Sequence, residues 1–317
     1  MASPGGPVVC FSYLAAASLW QVTQFPRPNY GAEVHAIEES IAADGAMVAA
    51  ALAGLGLPSL LLANNVGNDG SAAHARNWLH DRGVETDACM MDGHPTPHVV
   101  VVGDNHHTRT FFPYLPGVAD ELERADLAPL ATAAFAYVDG YAFIAKAASL
   151  AIRAAKAAGI PLLLNLGGDS PAEVFDAIRG YPRLIVQTSV SEANVLESQR
   201  LAGDLQGATG AEWAVVTAGS ACAVAASKNQ CLTSPAFRSE VHHTHCAGAA
   251  FSGGLLYGLL KGWGMQDCLD LAAASGTLRC ERGHGEPMPG LGELRAFMQV
   301  RERAPVPAAW TVPAAKP

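Results

Sequence analysis

The chain has 317 residues, half of them hydrophobic and only 15% charged, enough apolar material for one large α/β domain or two smaller ones. A net charge of −9 argues against nucleic acid or an anionic membrane surface as a generic partner, but leaves room for a small anion in a local site. Seven dispersed cysteines without a C-x-x-C pair, no basic region before the first apolar run, and no bilayer-length apolar stretch predict reduced thiols, a cytoplasmic location and no membrane contact.

In chain order, short runs rich in Val, Ile and Leu alternate with Ala-rich segments of helical spacing. The strand-like runs are "PVVCFSYL" from residue 7, "PSLLLANNVG" from 58 and "PHVVVVGD" from 97, then "AAFAYVDGY" from 133 and "PLLLNLGG" from 161. "RLIVQTSV" from 183 and "EWAVVTAGS" from 212 complete the set. Helices are predicted over 70–83, 146–159 and 170–180. Such alternation predicts a doubly wound α/β sheet with helices on both faces. Residues 9–37 and 88–115 hold strand-like pieces without long helices between them, and predict a small β-sheet lid. The domain is expected to cover 1–303, followed by a Pro/Ala-rich tail over 304–317.

Ligands of open α/β sheets bind beyond the carboxyl ends of the strands. That rule singles out residues just after the apolar runs: Asn64 and Asn65, Asp139 and Tyr141, Asn165, Ser191 and Glu192, Gly219 and Ser220. Asp139 and Tyr141 are open to a ligand role or a turn role. Asp44, before an Ala-rich helix, is either an N-cap or a substrate contact. Glu192 reads as an acid or base if burial raises its pKa, or as helix-start electrostatics.

Near the C-terminal third, "HHTHCAGAAFSGG" places Cys246, Ala247, Gly248 and Ala249 at the start of a helix. Small residues there let backbone N–H groups approach an anion, aided by the helix dipole. His243 and His245 titrate in a range that suits acid–base work at neutral pH. No third ligand is placed by sequence, so no metal site and no cofactor are expected. Cys246, at a helix N-terminus, is either thiolate-forming or a small inert thiol.

Across nearly its whole length the chain resembles the ribokinase-like, or PfkB, carbohydrate kinases. "AADGAMVAAALAGLG" from 42, "VGNDGSAA" from 66, "RGVET" from 82, "TRTFF" from 108, "VTAGSACAVA" from 216 and "LAAASGTLRCERGHG" from 271 follow the family's order. "HTHCAGAAF" stands where the family has Asp-Thr-x-Gly-Ala-Gly-Asp-x-Phe. The resemblance implies that the family's base aspartate falls on Ala249 and its first motif aspartate on His243. The sugar-contacting Gly-Gly and Asn fall on Ala42, Ala43 and Met47, and Asn-x-x-Glu appears as Ser191–Asn194. An early sugar-binding aspartate is lost in "YLAAASLW". The resemblance also places Arg109 on the lid, where it would pair with an anion or lie solvated, and puts Met47 towards an apolar ligand.

Alanine cannot accept a proton, and losing a positioned base costs about 10²–10⁴ in rate, so sugar phosphorylation is not expected. The leading expectation is condensation of a tryptophan-like amine with an aldehyde, possibly a sugar phosphate, as in ribokinase-like Pictet–Spengler enzymes. Glu192, His243 or His245 would be the catalytic group. The alternatives are an atypical sugar or nucleoside kinase and a silent ligand-binding protein. Partners are expected to be small molecules, one of them anionic, with a homodimer through the lid as a further possibility.

Overall fold

The computed structural model describes residues 5–106, 108–169 and 171–305. Most of the expected tail therefore lies outside the described residues. The chain opens with β1 (Val8–Phe11), β2 (Ala15–Val22), β3 (Val34–Ala42) and α1 (Asp44–Gly54). It continues through β4 (Ser59–Leu62), β5 (Val66–Gly67), α2 (Gly70–Asp81), β6 (Glu85–Thr86), β7 (Met90–Met91), β8 (His98–Gly103) and β9 (Arg109–Tyr114). Then come α3 (Val118–Leu122), β10 (Phe135–Asp139), α4 (Ala145–Ala157), β11 (Leu162–Asn165), α5 (Ala172–Ile178) and β12 (Leu184–Ser189). The last third holds α6 (Ser198–Thr209), β13 (Trp213–Ala218), β14 (Cys222–Ala226), β15 (Cys231–Pro235), α7 (Ala247–Leu260), α8 (Met265–Glu281) and α9 (Leu291–Val300).

Nine strands form the main sheet in the order β15-β14-β13-β12-β11-β10-β1-β4-β6. Pairing is parallel from β6 to β13 and antiparallel through β14 and β15. Near-continuous apolar runs suit strands covered on both sides, and alternate residues feed two cores. Val8, Cys10, Tyr137, Leu163 and Ile185 point to one face, beneath α1, α2, α7 and α8. Val9, Phe11, Val138, Leu164 and Val186 point to the other, beneath α3, α4 and α5. This is a mixed α/β architecture, a large central sheet with helices on both faces. Among the described residues no helix is long and apolar enough to cross a membrane.

A separate four-stranded sheet runs β3-β2-β8-β9. It starts at Ala15 rather than residue 9, because Val8–Phe11 pairs with β10 and β4 in the main sheet. It also extends to Ala42 at its far end. Its edge strand β9 exposes Phe111, Phe112 and Tyr114. The chain crosses between the two sheets at residues 12–14, at Ala43, between β6 and β8 and between β9 and β10, and the first crossing is pinned at Leu14. Its N–H donates to Asn64 Oδ1 at 2.9 Å, and its carbonyl accepts from Asn64 Nδ2 at 3.0 Å.

Candidate active site

Register across the main sheet builds the site. Phe11 lies opposite Val138, so Ser12 falls beside Asp139; Asp139 pairs with Asn165, and Asn165 with Gln187. Paired residues of parallel strands share a face, so these polar groups form a row on the face that α1 and α7 cover. Each follows an apolar run, at the strand end where ligands of such sheets bind.

Asp139 is fully buried and takes four hydrogen bonds. Ser12 Oγ at 2.5 Å and the Gly45 N–H at 2.9 Å donate to Oδ2; Tyr137 Oη at 2.8 Å and Asn165 Nδ2 at 2.9 Å donate to Oδ1. A Cβ on Gly45 would lie 2.4 Å from the Ser12 Cβ, so only glycine lets this amide approach. Burial first, then the Asp44 carboxylate, pushes Asp139 up to about 7, against the pull of its donors. No Lys, Arg or His is ion-paired with Asp139 or Asp44 among the described residues.

Asp44 is the half-buried partner. It is the first residue of α1 rather than its N-cap, which is Ala43. Its Oδ2 accepts from Tyr141 Oη at 2.5 Å and from Asn165 Nδ2 at 3.1 Å, so Asn165 bridges the two carboxyls. Burial, then Asp139, raises the Tyr141 hydroxyl above its ordinary range and keeps it a donor. Beside this pair stand three rings. Tyr13 meets Phe143 edge-on at 5.2 Å and Tyr141 at 6.2 Å, and Tyr141 stacks with Phe143 at 6.0 Å. Phe143 is 44% exposed and forms the rim.

Ala43 has φ 130° and ψ 137°, a region that residues with a Cβ rarely adopt. Strain of roughly 1–3 kcal/mol is expected there. Replacing Ala43 by Gly relieves it and loses about 0.8 kcal/mol of methyl burial plus ~0.4–1 kcal/mol of chain entropy. Urea unfolding should therefore find Ala43→Gly no more than about 1 kcal/mol less stable than the parent, or more stable than it. Ala50→Gly, buried within the same helix, should cost roughly 2 kcal/mol. Equal losses at both positions would contradict the strain.

The loop before α7 is irregular rather than a strand, and α8 holds it: the His242 N–H donates to the Cys280 carbonyl at 2.9 Å. His243 stacks on His284 at 3.8 Å, and His245 lies 5.7 Å from the same ring. His245 Nε2 reaches the Ile41 carbonyl at 3.2 Å, which ties the loop to the segment leading into Asp44. Burial, then His284, lowers both His243 and His245 to about 3; His284 falls to about 4 through burial and Arg279. The expectation that these histidines titrate near neutrality is thus corrected: they stay neutral and are weak bases.

Cys246 is buried at φ 68°, and burial pushes its thiol up to about 12, which makes it the inert alternative. Ala247 is half-buried, Gly248 exposed and Ala249 buried in the first turn of α7, which no side chain caps. Arg109 reaches across from the lid and donates to the Thr244 carbonyl at 2.9 Å.

Two other candidates lie elsewhere. Glu192 is exposed, and its Oε1 accepts from the Ser220 N–H at 2.8 Å, so it fastens the β13–β14 turn. Met47 is enclosed in the core beneath α7 instead of lining the site, because its helical position faces inward. Asp44, Asp139, Tyr141 and Asn165 are brought together. Ser12, Tyr13, Tyr137 and Phe143 were not singled out from the sequence; a polar residue closing an apolar run was the available signal for Ser12. Among the described residues no three of His, Cys, Asp and Glu converge as a metal-ligand group.

The model of the pfkB family carbohydrate kinases matches residues 8–289. The chain belongs to that family. No curated protein matches the sequence. Among solved structures, a putative ribokinase from Agrobacterium tumefaciens is similar with TM-score 0.76 and 18% identity, covering 93% of this chain and 98% of that one. Arabidopsis thaliana ribokinase complexed with ribose and ATP gives 0.69 and 20%, covering 93% and 99%. A fructokinase with bound ATP from Xylella fastidiosa gives 0.71 and 22%, covering 92% and 98%. At these identities the structural likeness carries the fold alone. Activity has to be argued from this pfkB member's own residues.

Proposed function

We propose that this pfkB-family chain is a non-phosphorylating condensing enzyme that joins an aromatic ethylamine of the tryptophan type to a carbonyl compound in a Pictet–Spengler reaction. The observation that carries the reading is the carboxyl pair Asp44–Asp139, bridged by Asn165 and flanked by Tyr13, Tyr141 and Phe143. The helix start that would supply a kinase base by resemblance carries Ala249 instead. Asp139 is enclosed by donors, so Asp44 is the member that meets substrate and Asp139 places a second carboxyl beside it.

The protons balance through Asp44. It takes one proton from the substrate ammonium, and the free amine adds to the carbonyl carbon. Returning that proton to the carbinolamine hydroxyl expels water and leaves an iminium ion. The indole carbon attacks, a C–C bond forms, and the ring proton passes to Asp44 as aromaticity returns. Asp44 then protonates the product amine. A carboxyl raised to about 7 at Asp139, next to Asp44, suits a site that must both accept and donate protons. The Tyr and Phe rings offer packing for an indole and cation–π stabilisation for the iminium.

Family membership favours a second reading, an atypical sugar or nucleoside kinase. Purified protein with tryptophan and a panel of aldehydes should release a cyclised product, whereas a sugar and nucleoside panel with Mg-ATP should release no ADP above background. Ala249→Asp alone should leave ADP release at background, since positions 191–194 also depart from the family pattern. Sugar-dependent ADP release by the unaltered chain, without cyclised product, would sink the condensing reading in favour of the kinase.

A further inference from the structure

The carboxyl pair lies beyond β1 and β10, but two other strand ends of the same sheet open on a separate cavity. Ala63 follows β4 and Asp87 follows β6, its parallel neighbour, and with the end of α3 they border about 440 Å³. Open α/β sheets place ligands at such ends, and the volume is that of a small-molecule site. None of the residues that bond Asp44 or Asp139 lines it.

Most of the polar lining is already committed. Asn64 is taken up by Leu14; Glu121 accepts from the Asn65 N–H at 2.8 Å and has His94 Nε2 at 2.8 Å from its other oxygen. Two charges are left over. Asp87 takes the Ala63 N–H on Oδ1 at 2.9 Å, and no side chain donates to its Oδ2. Burial holds this carboxyl above the ordinary carboxylate range, with no cation beside it to pull it back. Arg124, just past α3, makes no ion pair among the described residues. Opposite charges in one small cavity attract, yet these two stand on different walls and do not meet. Ala63, Met91 and Ala125 add apolar surface to the lining.

From this arrangement we infer a second ligand site, which takes a small aliphatic α-amino acid as its zwitterion. The ammonium bonds Asp87 Oδ2, the carboxylate lies on Arg124, and the side chain packs on Ala63, Met91 and Ala125. A simple amine would leave Arg124 unanswered, a carboxylic acid would leave Asp87 so, and a polyol would answer neither charge. The site stands apart from the condensing reading, since no residue of that proposal lines it. Asn64 links it to the carboxyl pair: it borders the cavity and holds both backbone groups of Leu14, two residues from Ser12. A ligand that steadies residues 63–65 therefore steadies the crossing segment that carries Ser12 and Tyr13, which makes the site regulatory.

Isothermal titration calorimetry on the full chain with L-leucine, isopentylamine and 4-methylpentanoate tests the assignment. Leucine should bind about 10-fold or more tighter than either analogue. Arg124→Gln should cost leucine about 10-fold and leave isopentylamine unchanged. Asp87→Asn, which keeps an oxygen for the Ala63 N–H, should weaken leucine by a similar factor and spare 4-methylpentanoate. Unaltered melting temperatures establish that both variants are folded. Asp44→Asn should bind leucine as the parent does. Hydrogen exchange at the Leu14 amide should slow several-fold when leucine saturates the parent. Absence of saturable leucine binding, equal affinity for the analogues, an intact affinity in both charge variants, or a loss in Asp44→Asn overturns the site. Selective binding with unchanged exchange at Leu14 supports the site and overturns its regulatory link.

Discussion

Asp44→Asn is expected to lower the rate of condensation by about 10²–10⁴-fold while leaving a folded protein, the usual loss when a positioned proton-transfer group is removed. The amide keeps an oxygen to accept from Tyr141 and Asn165 but cannot take a proton. Asp139→Asn tests the other half of the pair through pH. In the parent, activity should fall as pH drops below about 7, because Asp139 then gains a proton and Asp44 loses the negative charge beside it. Asp139→Asn has no group to titrate there, so this acid limb should vanish. A variant with the same limb near neutrality would show that Asp139 does not govern the titration.

The second large effect is acid lability centred on the His243–His284 stack. His243 and His245 near 3 and His284 near 4 all lie below the unfolded value of 6.5. A depressed histidine favours folding above pH 6.5, and that contribution is lost as pH falls towards the folded values. Asp139 works in the opposite sense. Raised to about 7, it binds its proton more tightly in the folded state and favours folding as pH falls from 7 to 4. Three histidines against one carboxyl should leave a net loss, so the melting temperature is expected to drop between pH 6.5 and 4.5. His284→Phe keeps a ring against His243 but removes one titrating group and its repulsion, and should recover several degrees of that loss. Identical pH dependence in parent and variant would mean the stack is not the acid-sensitive element.

The doubly wound sheet was legible because its strands are buried on both faces and so read as unbroken apolar runs between Ala-rich helices. The join between the sheets was less so. "VVCFSYLAAASLW" is apolar throughout, and nothing in its pattern marks where β1 leaves the main sheet and β2 enters the small one. Asp44, Asp139, Tyr141 and Asn165 stood out as polar groups at strand or helix ends, yet their convergence depends on a register between strands far apart in sequence. Glu192 had the right chemistry and strand-end position. Only its bond to Ser220 shows that it serves a turn. The histidines looked reactive because a sequence displays their type and not their burial.

Two of the covalent crossings between the two sheets run through the carboxyl pair's surroundings. The outward one carries Ser12 and Tyr13, and the return carries Ala43 and Asp44. Any tilt of the small sheet is therefore felt at Asp44 and its partners. The outgoing strap is riveted at Leu14 by Asn64, and the returning one has a methyl group where glycine would swivel freely. The small sheet is thus less a door on a loose hinge than a stiff bracket, and its angle sets the spacing of the groups that move the proton.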